Sequence, residues 1–204
     1  MTFITLKKLP AQLIAATAIA AVTLTGCAPA PAAPPSSAPV SSPSTDDLLA
    51  AHGLTGLDAR QIIDKLDATP LADRPTDLMA SVRPAELILS DDQQREATLP
   101  IPDGQFYLSF APYLSQTHDC HFHSLTTCVG ELQNTDVQVK VTDAAGDVLV
   151  DEGLRTFDNG FLGVWLPRGV DATLTVTHDG HTASTPITTK GDQAATCLTT
   201  LQLS

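Results

Sequence analysis

Three of the chain's six histidines and two of its four cysteines fall in one stretch, His118-Asp119-Cys120-His121-Phe122-His123-Ser124-Leu125-Thr126-Thr127-Cys128. A thiolate is a soft donor and imidazole a borderline one. Such a set suits copper, zinc or iron in preference to magnesium or calcium. Cys197 supplies a third thiol near the C-terminus. In an extended stretch alternate residues share a face, so His121 and His123 would point one way and Cys120 with Phe122 the other. A loop through Ser124-Leu125 would return Cys128 beside Cys120, and Cys197 would arrive from the final strand. The candidate ligands are therefore Cys120, Cys128, Cys197, His123, His121 and His118, with His123 ranked first among the histidines. Asp119 is placed either to orient an imidazole from behind or simply to turn the chain.

Two or three thiolates hold Cu(I), while imidazoles also suit Cu(II), so a mixed cluster meets either oxidation state. Thiolates also give one electron each. Two Cu(II) ions and two thiolates yield two Cu(I) ions and one disulfide, and three cysteines let a pair donate while the third stays a ligand. Two other readings use the same residues. One is a structural disulfide between any two cysteines with a spare thiol, in a disulfide-stapled lipoprotein with an interaction role. The other is a structural zinc site, whose removal would unfold the body. Zinc sites favour closely paired cysteines such as C-x-x-C, whereas Cys120 and Cys128 are eight apart, which ranks zinc below copper. Hydrolase motifs are absent: there is no G-x-S-x-G, no H-E-x-x-H and no glycine-rich phosphate loop.

The run Cys120–Cys128, preceded by Thr117-His118-Asp119 and with Gly130-Glu131-Leu132 after it, resembles the signature of the CueP-like extracytoplasmic copper-resistance proteins. The likeness extends to His52-Gly53-Leu54, Arg74-Pro75-Thr76-Asp77-Leu78, Thr156-Phe157-Asp158-Asn159-Gly160-Phe161 and Cys197, and so covers nearly everything after about residue 46. It implies copper bound through cysteine and histidine and a link to Cu(II)-to-Cu(I) reduction. On that implication Cys120, Cys128 and Cys197 are the redox thiols of a stoichiometric reductant rather than an ordinary enzyme. A thiol reductant would restore them, and a copper-requiring protein would receive the Cu(I).

The elements that must position these residues are set by composition and pattern. Lys7-Lys8, an apolar run from Leu13 to Leu24 and small residues before Cys27 mark a secretory leader over 1–26. Leu24-Thr25-Gly26-Cys27 resembles a bacterial lipobox. By that resemblance Cys27 carries a lipid, anchors the protein to the membrane of the cell envelope and leaves the metal chemistry to the other three thiols. Ala, Pro and Ser dominate 27–45, a composition that spaces rather than folds. The net charge of −12 argues against a nucleic-acid partner, which needs a basic footprint. No second apolar run reaches the ~18 residues of a membrane span.

Residues 46–76 read as a helical lead-in. Thr45 caps a first helix that Gly53 stops, with His52 as a packing residue at the stop. A second helix, from about Leu57 to Ala68, carries the buried stripe Ala59, Ile62, Ile63 and Leu66. Helices this short must pack on the later part of the chain or on a second copy of it, so this part also offers a homodimer surface. From residue 77 to 204 the pattern is β-rich: 86–89 and 95–99 form a hairpin, 105–111 a strand ended by Pro112, and 136–142, 148–150, 161–166, 172–177 and 198–203 further strands. Asn159-Gly160 and Asp179-Gly180 are short-hairpin dipeptides. His178 and His181 flank the second and should face each other as a solvated pair. The expected fold is mainly β with a short α-helical N-terminal part, a small antiparallel β-sandwich that weakly resembles transthyretin-like modules.

Overall fold

The computed structural model describes residues 45–204. The leader, the lipobox with Cys27 and the tether as far as residue 44 lie outside the described residues. Helix α1 (Thr45–Ala51) carries Asp46 and Asp47 in its first turn, at the positive end of the helix dipole, and buries Leu48 and Leu49. Gly53 then takes φ +63°, and Leu54 N–H and Gly53 N–H bond back to the carbonyls of Leu49 (2.7 Å) and Ala50 (3.2 Å). This pair of bonds closes the helix in a Schellman turn. His52 packs at this stop, 3.7 Å from Asp91. Helix α2 (Ala59–Asp67) opens in a capping box, with Asp58 accepting from Gln61 N–H and the Gln61 side chain accepting from Asp58 N–H. It buries the expected stripe of Ala59, Ile62, Ile63 and Leu66, and one residue more, Asp67.

Strands β1 (Leu78–Val82), β2 (Glu86–Asp91) and β3 (Glu96–Pro100) form an antiparallel sheet in that order. Its apolar residues, Leu78, Ala80, Val82, Leu87 and Leu89, share one core with Leu48, Leu54, Ile62 and Ile63 of the helices. Removing these side chains from water stabilises the region by about 1.5–3 kcal/mol for each large one. That burial makes up for what helices of two turns lack by themselves.

The remaining strands make the sandwich proper. Strands β4 (Gln105–Tyr113), β7 (Leu162–Pro167) and β10 (Cys197–Gln202) form one sheet, ordered β10-β4-β7. Strands β5 (Asp136–Asp143), β6 (Val148–Arg155), β8 (Asp171–His178) and β9 (His181–Thr188) form the other, ordered β6-β5-β8-β9. Phe106, Leu108 and Phe110 of β4 meet Val137, Val139 and Val141 of β5 and Leu174 and Val176 of β8 in a common core. The expected mainly β, sandwich-like fold is thus the fold observed, with one parallel pair, β10 on β4. The other face of β4 and β7 turns Tyr107 and Trp165, cross-strand partners, toward the helical core.

Two local expectations are corrected. Pro112 does not end β4, which runs on to Tyr113. The pairing with β7 has finished by Phe110–Leu162, so Pro112 has only β10 beside it and its missing N–H breaks no ladder there. Asp179-Gly180 does close the β8–β9 hairpin, with φ positive at both residues. Asn159-Gly160 does not close a hairpin, because β6 and β7 belong to different sheets. Gly160 instead meets Gly130 backbone to backbone: a Cβ on Gly160 would lie 2.6 Å from the Gly130 carbonyl oxygen. Among the described residues no helix is long and apolar enough to cross a membrane.

Candidate metal centre

The connection between β4 and β5 carries His118 to Cys128 and is fastened along its length. Glu131 accepts hydrogen bonds from the Ser115 hydroxyl and from the backbone N–H groups of Leu114 (2.7 Å), Ser115 (2.9 Å) and Gln116 (3.3 Å). These donors, Ser115 first, hold its carboxyl at about 2, well below the usual range. Farther on, Val82 N–H donates to the His123 carbonyl (2.8 Å) and Leu125 N–H to the Ala80 carbonyl (2.9 Å), so the segment lies along β1. On its other side the N–H groups of Thr196 and Cys197 donate to the His121 carbonyl (3.0 and 3.1 Å). Arg74, just after the 3-10 turn Leu71–Asp73, donates to the Cys128 carbonyl (2.8 Å).

This threading gathers three sulfurs and two imidazoles. Cys120 and Cys197 form a disulfide, and Cys128 is a free, buried thiol whose sulfur lies 3.7 Å from that of Cys120. His123 is fully buried, with Nδ1 3.8 Å from Cys197 Sγ. The ligand atoms of His123, Cys128 and Cys197 lie within 4.8 Å of one another, and so do those of His118, Cys120 and Cys128. Cys128 belongs to both groups, which are the two such groups among the described residues. The first is wholly buried; in the second, neither His118 nor Cys120 is. Phe161 packs on both histidine rings, at 4.9 Å from His123 and 6.0 Å from His118. A cleft lined by Gln116, Thr117, His118, Val129, Gly130 and Glu131 opens beside His118.

His121 is not drawn into either group. It is exposed, edges onto Phe122, and its Nε2 meets the Gln193 carbonyl at 3.1 Å. Strand alternation does not apply here, because 118–123 is irregular and His121 and His123 face different surroundings. Asp119 is exposed. The carboxylate behind His123 belongs to Asp67, with Oδ1 2.9 Å from His123 Nε2. His178 and His181 do face each other across their hairpin, and His178 Nδ1 meets the Asp136 carbonyl at 2.9 Å.

Electrostatics favour charge on these groups despite burial. Burial works against the His123 imidazolium, but the Asp67 carboxylate and its hydrogen bond outweigh that and raise the imidazole's pKa. Burial likewise penalises the Cys128 thiolate, and the neighbouring His123 more than compensates, so the thiol's pKa falls. A low thiol pKa is what a nucleophile or metal ligand requires. Two thiolates and an imidazole in an apolar wall of Phe161 and Ala111 suit a soft monovalent metal. A disulfide sulfur is no thiolate, so each group becomes a full donor set only when the Cys120–Cys197 bond opens.

A family model described as periplasmic copper-binding protein CueP matches residues 61–202. The chain belongs to the CueP family. Copper is therefore the metal it binds, and its place is outside the cytoplasm, as periplasmic members of that family are. A crystal structure titled S.CueP is similar to this fold with a TM-score of 0.74 at 46% sequence identity, covering 79% of this chain and 98% of that one. No curated protein matches the chain significantly. Residues 61–202 take in all but the first two residues of α2, every strand, all three body cysteines and both buried-site partners, Asp67 and His123. Sequence reasoning missed Asp67. Its signal was present: position 67 lies four after Ile63, on the buried stripe, and is an acid at the helix end where the dipole disfavours one.

Proposed function

We propose that the protein captures copper in the cell envelope, reduces Cu(II) to Cu(I) with the Cys120 and Cys197 thiols, and retains Cu(I) with Cys128 and His123. What supports this reading is the sulfur arrangement: one pair joined, and a third thiol 3.7 Å from Cys120 beside a buried imidazole. In the step itself Cys120 and Cys197 each lose a proton and one electron, two Cu(II) become two Cu(I), and the sulfur–sulfur bond forms. Cys128 is not consumed. An extracytoplasmic dithiol then returns two electrons and two protons to that bond and is itself oxidised to a disulfide. Copper meets His118 and Cys120 first, from the cleft, and passes through the shared Cys128 toward His123. The lipid on Cys27 keeps the domain at the membrane, and a copper-requiring protein takes the Cu(I).

Peptide mapping tests the assignment of the pair. Fully reduced protein is given Cu(II) without oxygen, alkylated and digested. The expected products are a Cys120–Cys197 cross-linked peptide and an alkylated Cys128. A Cys120–Cys128 link, or three alkylated cysteines, would contradict it.

A further inference from the structure

The histidine motif is completed by a residue far from it in sequence. Asp67, the last residue of α2, is fully buried, and both its oxygens are engaged. Oδ1 lies 2.9 Å from His123 Nε2, with Asn159 Nδ2 at 3.4 Å; Oδ2 accepts from the Tyr107 hydroxyl at 2.5 Å. An ionised carboxylate only accepts hydrogen bonds, so the ring must present Nε2–H to it. That turns the other nitrogen, Nδ1, toward the sulfurs, 3.8 Å from Cys197. Reversing the ring would break the Asp67 bond and leave a buried carboxylate without its partner, a costly state. The Tyr107 hydroxyl reaches Asp67 because the neighbouring strand carries Gly163, where a Cβ would overlap that hydroxyl.

We propose that Asp67, steadied by Tyr107, is the positioning residue of the copper centre, fixing His123 so that Nδ1 is its copper-binding nitrogen. The proposal rests on the copper reading above and deepens it: it names the binding atom and makes the helical lead-in part of the site. A carboxylate behind a metal-binding histidine fixes its tautomer and orientation and raises its basicity, and losing that partner costs about 10–100-fold in metal affinity. Burying an acid at a helix C-terminus opposes the dipole; a side chain that only filled space there would have no use for the charge.

The test uses nitrogen-15 spectra of the protein with labelled histidine, together with Cu(I) competition against a chromogenic chelator. In the metal-free protein His123 should show a slowly exchanging Nε2–H, and Cu(I) loading should shift Nδ1 while leaving that proton in place. Asp67→Asn should lose the protected Nε2–H and weaken Cu(I) binding by about 10–100-fold. Tyr107→Phe, which keeps the ring's bulk, should weaken it in the same direction by a smaller factor. Copper bound through Nε2, or a metal-free His123 lacking the Nε2–H, would overturn the proposal even if Asp67→Asn did not fold. So would wild-type affinity in a folded Asp67→Asn protein. A wild-type protein that keeps its Nε2–H but takes up no Cu(I) would instead overturn the copper reading on which the proposal rests.

Discussion

The two donor groups share Cys128 and Phe161 and differ in everything else. His123, Cys128 and Cys197 are buried, and the imidazole is backed by a carboxylate, a tyrosine and an asparagine. His118 borders a cleft, Cys120 is only partly buried, and Glu131 fastens the start of the loop that carries them. Burial strengthens electrostatic interactions and slows exchange with water; openness favours capture. On the proposed function, the open group serves uptake, and Cys128 with His123 of the closed group serves retention.

That division is open to test, beginning with the residues both groups use. Cys128→Ser should lower Cu(I) affinity by more than the roughly 10–100-fold that loss of an outer partner costs, because it removes a ligand from both groups at once. Competition with a Cu(I) chelator measures it, and a drop no greater than that of His118→Ala would break the shared-ligand account. Phe161→Ala empties a fully buried site beside both rings. Denaturant unfolding should show a loss of about 3–5 kcal/mol.

Smaller effects separate the groups. His118→Ala should slow copper uptake in stopped-flow mixing and leave equilibrium affinity within a few-fold, while His121→Ala should change neither and stay within about ±0.5 kcal/mol of wild-type stability. The smallest effect is a pH one. Glu131 has its carboxyl lowered to about 2. Its contribution to holding the 114–116 loop is present above the ordinary carboxylate range and is lost as pH falls through about 2. Its carboxyl carbon resonance should titrate there; a normal midpoint would mean that the loop carrying His118 is held otherwise.

Much of the sandwich was legible because strands with one buried face announce themselves. Val137, Val139 and Val141 alternate with polar residues, and the structure buries those three. The buried stripe of α2 was equally plain. Strand β1 escaped notice as a separate element, since Leu78-Met79-Ala80-Ser81-Val82 is short and its exposed Met79 blurs the alternation. The sulfurs were readable as a set from type and spacing, including the return of Cys128 to Cys120 and the arrival of Cys197 from the last strand. Their partners were not. The expectation for His121 rests on a periodicity that an irregular loop does not have, and Asp67 stands 56 residues before His123. Only the tertiary packing of α2 against β4 and the loop joins them, and no local pattern encodes that contact.

The central claim is stoichiometric, and one tube tests it. Fully reduced protein, free of oxygen, receives Cu(II); Cu(I) is monitored with a chromogenic chelator while free thiols are counted. The account predicts two Cu(I) formed for every two thiols lost, with the third body thiol still free. Copper held tightly with all three thiols intact would contradict the reductant reading and leave a carrier that receives copper already reduced.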